Sequence, residues 1–170
     1  MSPAPNRIHQ AIASKLHIKL GNYLFRSKCE LYSAPFDVRF PKNSKKDNDI
    51  YTVLQPDLCV ICDLSKLDDR GCNGAPDLVV EILSPSNSKK ELKNKYEVYE
   101  EAGVKEYWVV FPVEKTLIVY TLINEKYQPS RLFACGDLVT SSVLPGLSID
   151  LEELFTDFLH EEELHAYGLQ

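Results

Sequence analysis

The chain has 170 residues, 44% of them hydrophobic and 26% charged, which suits a globular domain with a sizeable core and excludes a disordered or fibrous protein. No apolar run approaches the roughly 20 residues that span a bilayer, and the first ten residues contain no apolar signal segment. We therefore expect no membrane association and a cytoplasmic location. The formal net charge of -6 argues against tight nonspecific binding to DNA.

Charge is distributed unevenly along the chain. Residues 1–48 hold nine Lys or Arg residues against three Asp or Glu residues, whereas residues 150–163 contain seven acids. A basic first half is typical of a surface that faces phosphate groups, with the acidic tail facing away. Solvated surface charge explains the same composition equally well.

The five cysteines are Cys29, Cys59, Cys62, Cys72 and Cys135. An odd number without a secretion signal predicts reduced thiols. Cys59 and Cys62 have the spacing of half a zinc site, but no second pair accompanies them. Because residues three apart in a strand point to opposite faces, we interpret both as buried apolar thiols.

The first predicted element is a helix over residues 6–26, with Asn6 as its N-cap. Its apolar residues recur every four positions, at Ile8, Ile12, Leu16, Leu20 and Leu24. His9 falls on or beside the polar side. A histidine near a helix start is more often a surface or partner contact than a site residue, so it is only a secondary candidate for function.

Strands follow the helix. Phe36 to Phe40 alternates apolar and polar residues, as a half-buried strand does, and residues 41–50 are polar and basic, as in a loop. Leu58 to Cys62 forms the second strand, residues 63–76 form a connection rich in turn residues, and Asp77 to Leu83 forms the third strand.

A helix and a fourth strand complete the central unit. Ser88 and Glu91 have capping-box spacing, and Gly103 fits the left-handed residue just past the helix end. Glu91, Lys95 and Tyr99 lie four apart and share one face of this helix. The strand over residues 106–111 should then pair in parallel with the third, through a right-handed crossover.

The last third of the chain is predicted to add mainly β-structure. Residues 115–122 should form a hairpin with the fourth strand, and short β segments should follow over residues 126–150. An acidic amphipathic helix should start at Asp150. The sequence contains no internal repeat and no clear linker, so we expect one α/β domain over residues 1–170.

Glu81 is an acid in the middle of an otherwise apolar strand, where a charge is costly unless it is paired or binds a metal. If Asp63 stands opposite Asp77 in an antiparallel pair, Glu81 faces Cys59, and Asp57 becomes its diagonal neighbour on the same face, roughly 5–8 Å away. Two carboxylates at that separation can bind one hard divalent cation.

Asp77 and Lys95 complete the pattern around Glu81. Asp77 lies on the same face but about 13 Å along the strand, which makes it a poor partner for the same ion. Lys95, on the helix that follows, can reach back to position a nucleophile or to stabilise developing charge. The residues also permit a simpler arrangement, in which Glu81 and Lys95 form a buried structural ion pair and no metal binds.

Two long segments carry a family resemblance: the run CDLSKLDDRGCNGAPDLVVEILSPS over residues 62–86, and residues 89–110. Both resemble the Uma-two family of restriction endonucleases, within the PD-(D/E)XK nuclease superfamily. Shorter segments fit the same family, namely MSPAPNRIHQ, APFDVRF, QPDLCVICD and LPGLSIDLEELF. The resemblance covers nearly the whole chain.

The resemblance implies a restriction-endonuclease-like fold, with an α-β-β-β-α-β core, a mixed sheet and C-terminal β additions. It also implies a site for Mg²⁺ (or Mn²⁺) in which Asp57 and Glu81 are the metal ligands and Lys95 assists catalysis. Leu83 stands where the motif has lysine, and the following helix carries the lysine instead, at Lys95. Phe111 replaces an aspartate that is usual in the family.

Three functional hypotheses follow. The first is a metal-dependent endonuclease that hydrolyses phosphodiester bonds of DNA and acts as a homodimer. The second is a catalytically inactive nuclease-fold domain that binds DNA or protein, which Leu83, Phe111 and the net acidity favour. The third is a dimerisation domain that pairs through exposed strands and a Tyr- and Trp-rich sheet edge. The sequence specifies neither a recognition site nor a choice between DNA and RNA, and it leaves the roles of Asp77, His9 and Tyr99 open.

Overall fold

The computed structural model describes residues 7–42, 50–84 and 87–156. Its helices are α1 (Arg7–Leu24), α2 (Lys89–Ala102) and α3 (Leu151–Phe155). Its strands are β1 (Glu30–Ser33), β2 (Val38–Pro41), β3 (Ile50–Leu54), β4 (Leu58–Ile61), β5 (Leu67–Asp68), β6 (Gly71–Asn73), β7 (Leu78–Ile82), β8 (Glu106–Phe111), β9 (Thr116–Ile123), β10 (Lys126–Pro129), β11 (Phe133–Ala134), β12 (Leu138–Thr140) and β13 (Ser148–Asp150).

The main sheet has the strand order β1-β4-β7-β8-β9-β10, with β11 also paired to β9. Among the described strands of this sheet, only β7 and β8 pair in parallel, and α2 is the crossover between them. With α1 at the start, this is the predicted α-β-β-β-α-β core in a mixed sheet, extended by strands β9 to β11. The predicted fold class and the predicted hairpin between β8 and β9 are both confirmed.

A second sheet, which the sequence did not predict, has the order β3-β2-β6-β5. The predicted strand over residues 36–40 appears here as β2 rather than in the main sheet. The predicted connection over residues 63–76 contains β5, β6 and a short 3₁₀ helix over residues 64–66. Residues 43–49 of the predicted loop lie outside the described ranges. A further pair, β12 and β13, forms a two-stranded ribbon.

Side chains along each strand alternate between the two faces of the main sheet, so the core has two layers. On one face of the main sheet, Leu58, Val60, Leu78 and Val80 pack in a cluster that includes the buried side of α1. On the other face, Cys59, Ile61, Val79 and Tyr107 pack with Tyr99 of α2. Successive strand residues point to opposite faces, so each strand contributes to both layers. Residues 59 and 81 accordingly face α2, as expected.

The buried stripe of α1 differs from the prediction at its first position. The buried residues are His9, Ile12, Leu16, Leu20 and Leu24, whereas Ile8 is 44% exposed. A four-residue repeat drifts by about 40° at each step of a helix with 3.6 residues per turn. Four such steps separate Leu24 from Ile8, so Ile8 no longer lies on the buried face of the helix. His9 lies on that face instead. Asn6, the predicted N-cap, lies outside the described residues.

The ends of α2 match the sequence signals. The Ser88 hydroxyl accepts a hydrogen bond from the backbone amide of Glu91 at 3.1 Å, so Ser88 is the N-cap. Gly103 ends the helix with a left-handed φ of 86°. Helix α3, with Asp150 as its N-cap, covers five described residues. The rest of the predicted C-terminal helix lies outside the described ranges.

The prediction that all cysteines are reduced is wrong for one pair. Cys29 and Cys62 form a disulfide that joins the residue before β1 to the residue after β4. The two cysteines are neighbours because β1 and β4 pair antiparallel, with Glu30 opposite Ile61. Cys59 and Cys72 are buried free thiols, and Cys135 is an exposed one. Cys59 and Cys62 therefore do not form a joint metal site.

Three of the cations in the basic first half are engaged within the molecule. Lys15 donates to the backbone carbonyl of Glu153 at 3.2 Å, and Lys19 pairs with the Glu153 carboxylate. Arg39 is buried and forms two hydrogen bonds with Asp68, at 2.5 and 2.6 Å. These residues stabilise the fold instead of presenting free charge to phosphate.

None of the helices in the described ranges is long and apolar enough to cross a membrane.

Gly71 is a position where a side chain is excluded. Its φ is +117°, and a Cβ added there would overlap the carbonyl oxygen of Asp37, which accepts a hydrogen bond from Cys72. We expect Gly71→Ala to destabilise the protein by about 3 kcal/mol or more, measured by urea denaturation. The matched control is Gly21→Ala, within α1, where the nearest atom to the new Cβ is 3.9 Å away. That control should be neutral or stabilising by about 0.5–1 kcal/mol, and equal losses in both variants would contradict this assignment.

Candidate active site at the ends of β4 and β7

The register of β4 and β7 differs from the predicted one by two residues. Leu58 pairs with Val80, and Cys59 pairs with Val79 rather than with Glu81. Continued by one residue, this register places Asp57 directly opposite Glu81 rather than diagonal to it. The error leaves the faces unchanged, because a shift of two residues preserves the alternation. The two acids therefore meet at the end of the antiparallel pair.

Asp57 lies at the end of the hydrogen-bond ladder between β4 and β7. Its Oδ2 accepts a hydrogen bond from the backbone amide of Ile82 at 2.7 Å. Pro56 precedes it and has no amide hydrogen to continue the ladder. The side chain of Asp57 is 18% exposed, so the carboxylate can be reached from solvent.

His9 of α1 contacts the other oxygen of Asp57, with 3.1 Å between Nε2 and Oδ1. This hydrogen bond raises the pKa of His9, although burial alone would lower it. The charges of Asp57 and Glu81 and a hydrogen bond to the backbone of Ile82 raise it further. His9 was expected near the polar side of its helix. Its buried position instead joins α1 to the ends of β4 and β7.

Glu81 is 4% exposed, and both of its oxygens accept hydrogen bonds from α2. Lys95 Nζ lies 2.9 Å from Oε2, and the Tyr99 hydroxyl lies 2.7 Å from Oε1. Burial raises the pKa of Glu81 to about 7, against the opposing effects of Lys95 and Tyr99. The negative charge of Asp57 also raises this pKa, which shows that the two carboxyl groups interact electrostatically.

Lys95 reaches Glu81 because Glu91, Lys95 and Tyr99 occupy successive turns on one face of α2. Its side chain is 18% exposed, and its Nζ also lies 3.7 Å from the Glu91 carboxylate. Burial lowers the pKa of Lys95, but the charge of Glu81 and the hydrogen bond to it outweigh burial and raise it. Lys95 therefore holds a positive charge against the buried acid. Leu83, where the sequence motif has lysine, packs instead against the α2-facing core.

Asp77 contacts Lys105 and the backbone of Cys62. Its Oδ1 accepts a hydrogen bond from Lys105 at 2.6 Å, and its Oδ2 accepts one from the backbone amide of Cys62 at 2.7 Å. Burial raises the pKa of Asp77, but these partners outweigh burial and lower it. The expectation that Asp77 is a poor partner for Glu81 agrees with this geometry.

A cleft of about 630 Å³ opens beside Asp57. Its lining consists of His9, Gln10, Ala13, Ser14, His17 and Ile18 from α1, of Ser33, Ala34 and Pro35 from the end of β1 and the β1–β2 connection, and of Gln55, Asp57 and Leu58 from the β3–β4 connection and the start of β4. Glu81 and Lys95 lie behind Asp57 rather than in the lining. The cleft gives a ligand a direct approach to the exposed part of the Asp57 carboxylate.

The oxygen donors at this place fit a hard divalent cation. Asp57 and Glu81 offer carboxylates, and each carboxylate oxygen has a second lone pair beyond its present hydrogen bond. The amide of Ile82 donates to Asp57, and the backbone N–H and C=O of one strand residue point to the same side of the strand, so we expect the carbonyl of Ile82 on the β4 side of β7. Within the described residues, no group of three or more His, Cys, Asp or Glu side chains is placed to bind a metal. A cation would therefore depend on these two carboxylates, the backbone and water.

Sequence reasoning brought Asp57, Glu81 and Lys95 together, and the structure places all three at one end of the main sheet. Sequence reasoning gave too little weight to two residues that contact these acids, His9 and Tyr99. Tyr99 lies four residues after Lys95, so its helical spacing was a usable signal for contact with the same acid. For His9 the signal was its three-residue separation from Ile12, the first buried apolar residue of α1.

The dimerisation hypothesis loses one of its two grounds, the Tyr- and Trp-rich sheet edge. Tyr107 and Trp108 were expected at a sheet edge, but β8 lies between β7 and β9, and both side chains are buried. The ends of the main sheet are β1 and β10 instead. A homodimer remains a prediction.

Comparison with known proteins supports a nuclease assignment. The profile of the Uma2 family, described as "Putative restriction endonuclease", matches residues 1–152. A crystal structure titled as a putative nuclease belonging to DUF820 from Anabaena variabilis ATCC 29413 shares the fold, with a TM-score of 0.67 and 21% identity, over 90% of this chain and 83% of that chain. No curated protein gives a significant match. Because the family profile covers most of its length, the chain belongs to the Uma2 family.

Proposed function

We propose that this protein is a metal-dependent endonuclease that hydrolyses phosphodiester bonds of DNA. The observation that carries the proposal is the convergence of Asp57, Glu81 and Lys95 at the ends of β4 and β7. Two carboxylates on adjacent strands can hold a divalent cation, and a lysine on the next helix can stabilise charge that develops on a phosphate, which suits metal-assisted phosphodiester hydrolysis. The family to which the chain belongs supports the same class of reaction.

In this proposal Asp57, Glu81 and the carbonyl of Ile82 are the protein ligands of Mg²⁺ or Mn²⁺, which prefer such oxygen donors. The bound cation supplies an activated water and neutralises charge on the phosphate. The protein fixes the ligands beforehand. The amide of Ile82 orients Asp57, Tyr99 orients Glu81, and His9 limits the rotation of the Asp57 carboxylate.

Lys95 is the proposed catalytic cation. Its ammonium group has three donors, and Glu81 takes one of them at 2.9 Å. The remaining donors can hold the attacking water or an oxygen of the phosphate, where they stabilise the negative charge that develops in the transition state. The salt bridge to Glu81 keeps the lysine charged and oriented for this role.

A catalytically inactive nuclease-fold domain that binds DNA or protein is the second candidate. The observation that favours it is the complete pairing of Glu81, whose two oxygens accept hydrogen bonds from Lys95 and Tyr99. Buried acid–lysine pairs also occur as purely structural contacts. In that case the protein would bind its partner without a divalent cation.

Plasmid cleavage tests the proposal. Purified protein should convert supercoiled plasmid into nicked and linear forms with Mg²⁺ or Mn²⁺, and EDTA should stop the reaction. An Asp57→Asn variant purified from the same host controls for contaminating nucleases and should leave the plasmid intact. Absence of cleavage of both this plasmid and a single-stranded circular DNA, in both metals, or equal cleavage by the variant, would contradict the proposal. A gel shift without cleavage would favour the inactive domain.

The pKa of Glu81 predicts how metal binding depends on pH. Because this pKa is raised to about 7, the folded protein holds the Glu81 proton below that pH, and a cation must displace it. Affinity for Mn²⁺ should therefore increase by about tenfold from about pH 6 to about pH 8 and level off above about pH 8. Calorimetric titration across this range measures it. A constant affinity would contradict the assignment of Glu81 as a ligand.

A further inference from the structure

The cleft beside Asp57 has a mixed lining of hydrogen-bonding and apolar side chains. Five hydrogen-bonding side chains other than Lys, Arg, Asp and Glu line it, namely Gln10, Ser14, His17, Ser33 and Gln55. Between them lie the apolar surfaces of Ala13, Ile18, Ala34 and Pro35. A base presents apolar faces and a hydrogen-bonding edge, and histidine is among the side chains on which bases stack.

No lysine or arginine occurs among the described residues that line this cleft. Duplex DNA carries one negative charge per about 1.7 Å of its axis, and proteins that track it contact its phosphates with Lys and Arg. The two lysines in the middle of α1 point elsewhere, since Lys15 and Lys19 both contact Glu153 at α3. The described lining of the cleft therefore offers no Lys or Arg to the phosphates of a duplex.

The dimensions agree with one or two nucleotides. The α1 wall runs from His9 to Ile18, which is about 13 Å at the rise of an α-helix. The volume of about 630 Å³ lies within the range of pockets that enclose small organic ligands. A base within a duplex is stacked and paired, so it can enter such a cleft only after extrusion, at a cost of a few kcal/mol. An unpaired strand avoids that cost.

We propose that this cleft binds an unpaired base next to the scissile phosphate, so that the preferred substrate is single-stranded DNA or an unpaired flap. The inference rests on the proposed function, because Asp57 and His9 are part of the cleft lining and an occupant would lie beside the proposed metal ligand Asp57. A base held against α1 brings the phosphate attached to it to the Asp57 carboxylate. Paired strands are poor substrates because their bases cannot enter.

The test compares three labelled DNA substrates of one sequence in Mn²⁺: a single strand, a continuous duplex, and a duplex with unpaired flaps. We expect the single strand and the flaps to be cleaved at least tenfold faster than the duplex. Ser14→Trp, which fills the cleft from an exposed position of α1, should reduce this cleavage at least tenfold. Asn22→Trp is the matched control, because it adds the same side chain at an exposed α1 position outside the lining and should have no effect.

Binding separates this inference from the proposed nuclease activity. Fluorescence anisotropy with the same DNAs in EDTA should show tighter binding of the single strand than of the duplex, and loss of that preference in Ser14→Trp but not in Asn22→Trp. This result supports the base-binding cleft even if no DNA is cleaved, in which case only the nuclease proposal fails. Equal binding and cleavage of single strand and duplex, or a Ser14→Trp variant indistinguishable from wild type, would overturn the inference. Circular dichroism of both variants verifies that they fold.

Discussion

Glu81→Gln should lower the rate of DNA cleavage by about a thousandfold or more, because it removes a ligand charge while it preserves the size of the side chain. The amide can still accept the Tyr99 hydrogen bond that now lies at 2.7 Å, so the fold should persist. The loss should appear chiefly in kcat, since Glu81 is buried behind Asp57 and lies outside the cleft lining. Single-turnover cleavage at saturating Mn²⁺ measures the effect.

Glu97→Gln is the control for this variant. Glu97 lies on α2 as well, but its side chain is 54% exposed and pairs with Lys93 at 3.6 Å. An exposed ion pair within one helix contributes about 0.3–0.5 kcal/mol, so this change should leave both stability and cleavage nearly unaltered. Cleavage by Glu81→Gln within tenfold of the wild-type rate would exclude Glu81 from the catalytic machinery.

Glu106→Gln should destabilise the protein by about 3 kcal/mol, which is a large effect for a single isosteric substitution. Glu106 is 1% exposed at the start of β8. Its Oε2 accepts hydrogen bonds from Trp108 Nε1 at 3.0 Å and from Ser141 Oγ at 2.5 Å. Its Oε1 accepts two more, at 2.9 Å each, from the amide and the hydroxyl of Ser142.

The reason for this loss is that glutamine replaces one acceptor by a donor. Its NH₂ group must face the indole N–H of Trp108 or the backbone N–H of Ser142, and neither can turn away. For a chain of this length, about 3 kcal/mol corresponds to a fall in Tm of roughly 6–12 °C. Glu114→Gln, at an exposed turn between β8 and β9, should leave Tm unchanged. A Glu106→Gln variant as stable as wild type would show that the contact between β8 and the Ser141–Ser142 segment contributes little.

The central strand–helix–strand unit could be predicted from sequence because its signals are local. The residues from Ser88 to Gly103 specify both ends of α2, and the apolar run of residues 106–111 specifies β8. Local signals also place Glu91, Lys95 and Tyr99 on one helix face. Contacts of this kind depend only on the helical repeat, which sequence fixes.

Features that depend on nonlocal pairing were predicted less well. The register of β4 and β7 was wrong by two residues because β5 and β6 lie within the connection and join a separate sheet, so the length of that connection does not define a hairpin. The disulfide of Cys29 and Cys62 depends on the pairing of β1 with β4, which are far apart in sequence. His9 was misplaced for a different reason, the drift of a four-residue repeat around α1.

The claim that Asp57 and Glu81 together hold one divalent cation is tested most directly by Mn²⁺ binding, measured by calorimetry or electron paramagnetic resonance at about pH 8, above the pKa of Glu81. Wild-type protein should bind one Mn²⁺. Asp57→Asn and Glu81→Gln should each weaken this binding at least about tenfold, whereas Asp77→Asn, at the separate contact with Lys105, should retain it. Equal Mn²⁺ affinity in wild type, Asp57→Asn and Glu81→Gln, or no binding by wild-type protein with and without DNA, would contradict this claim.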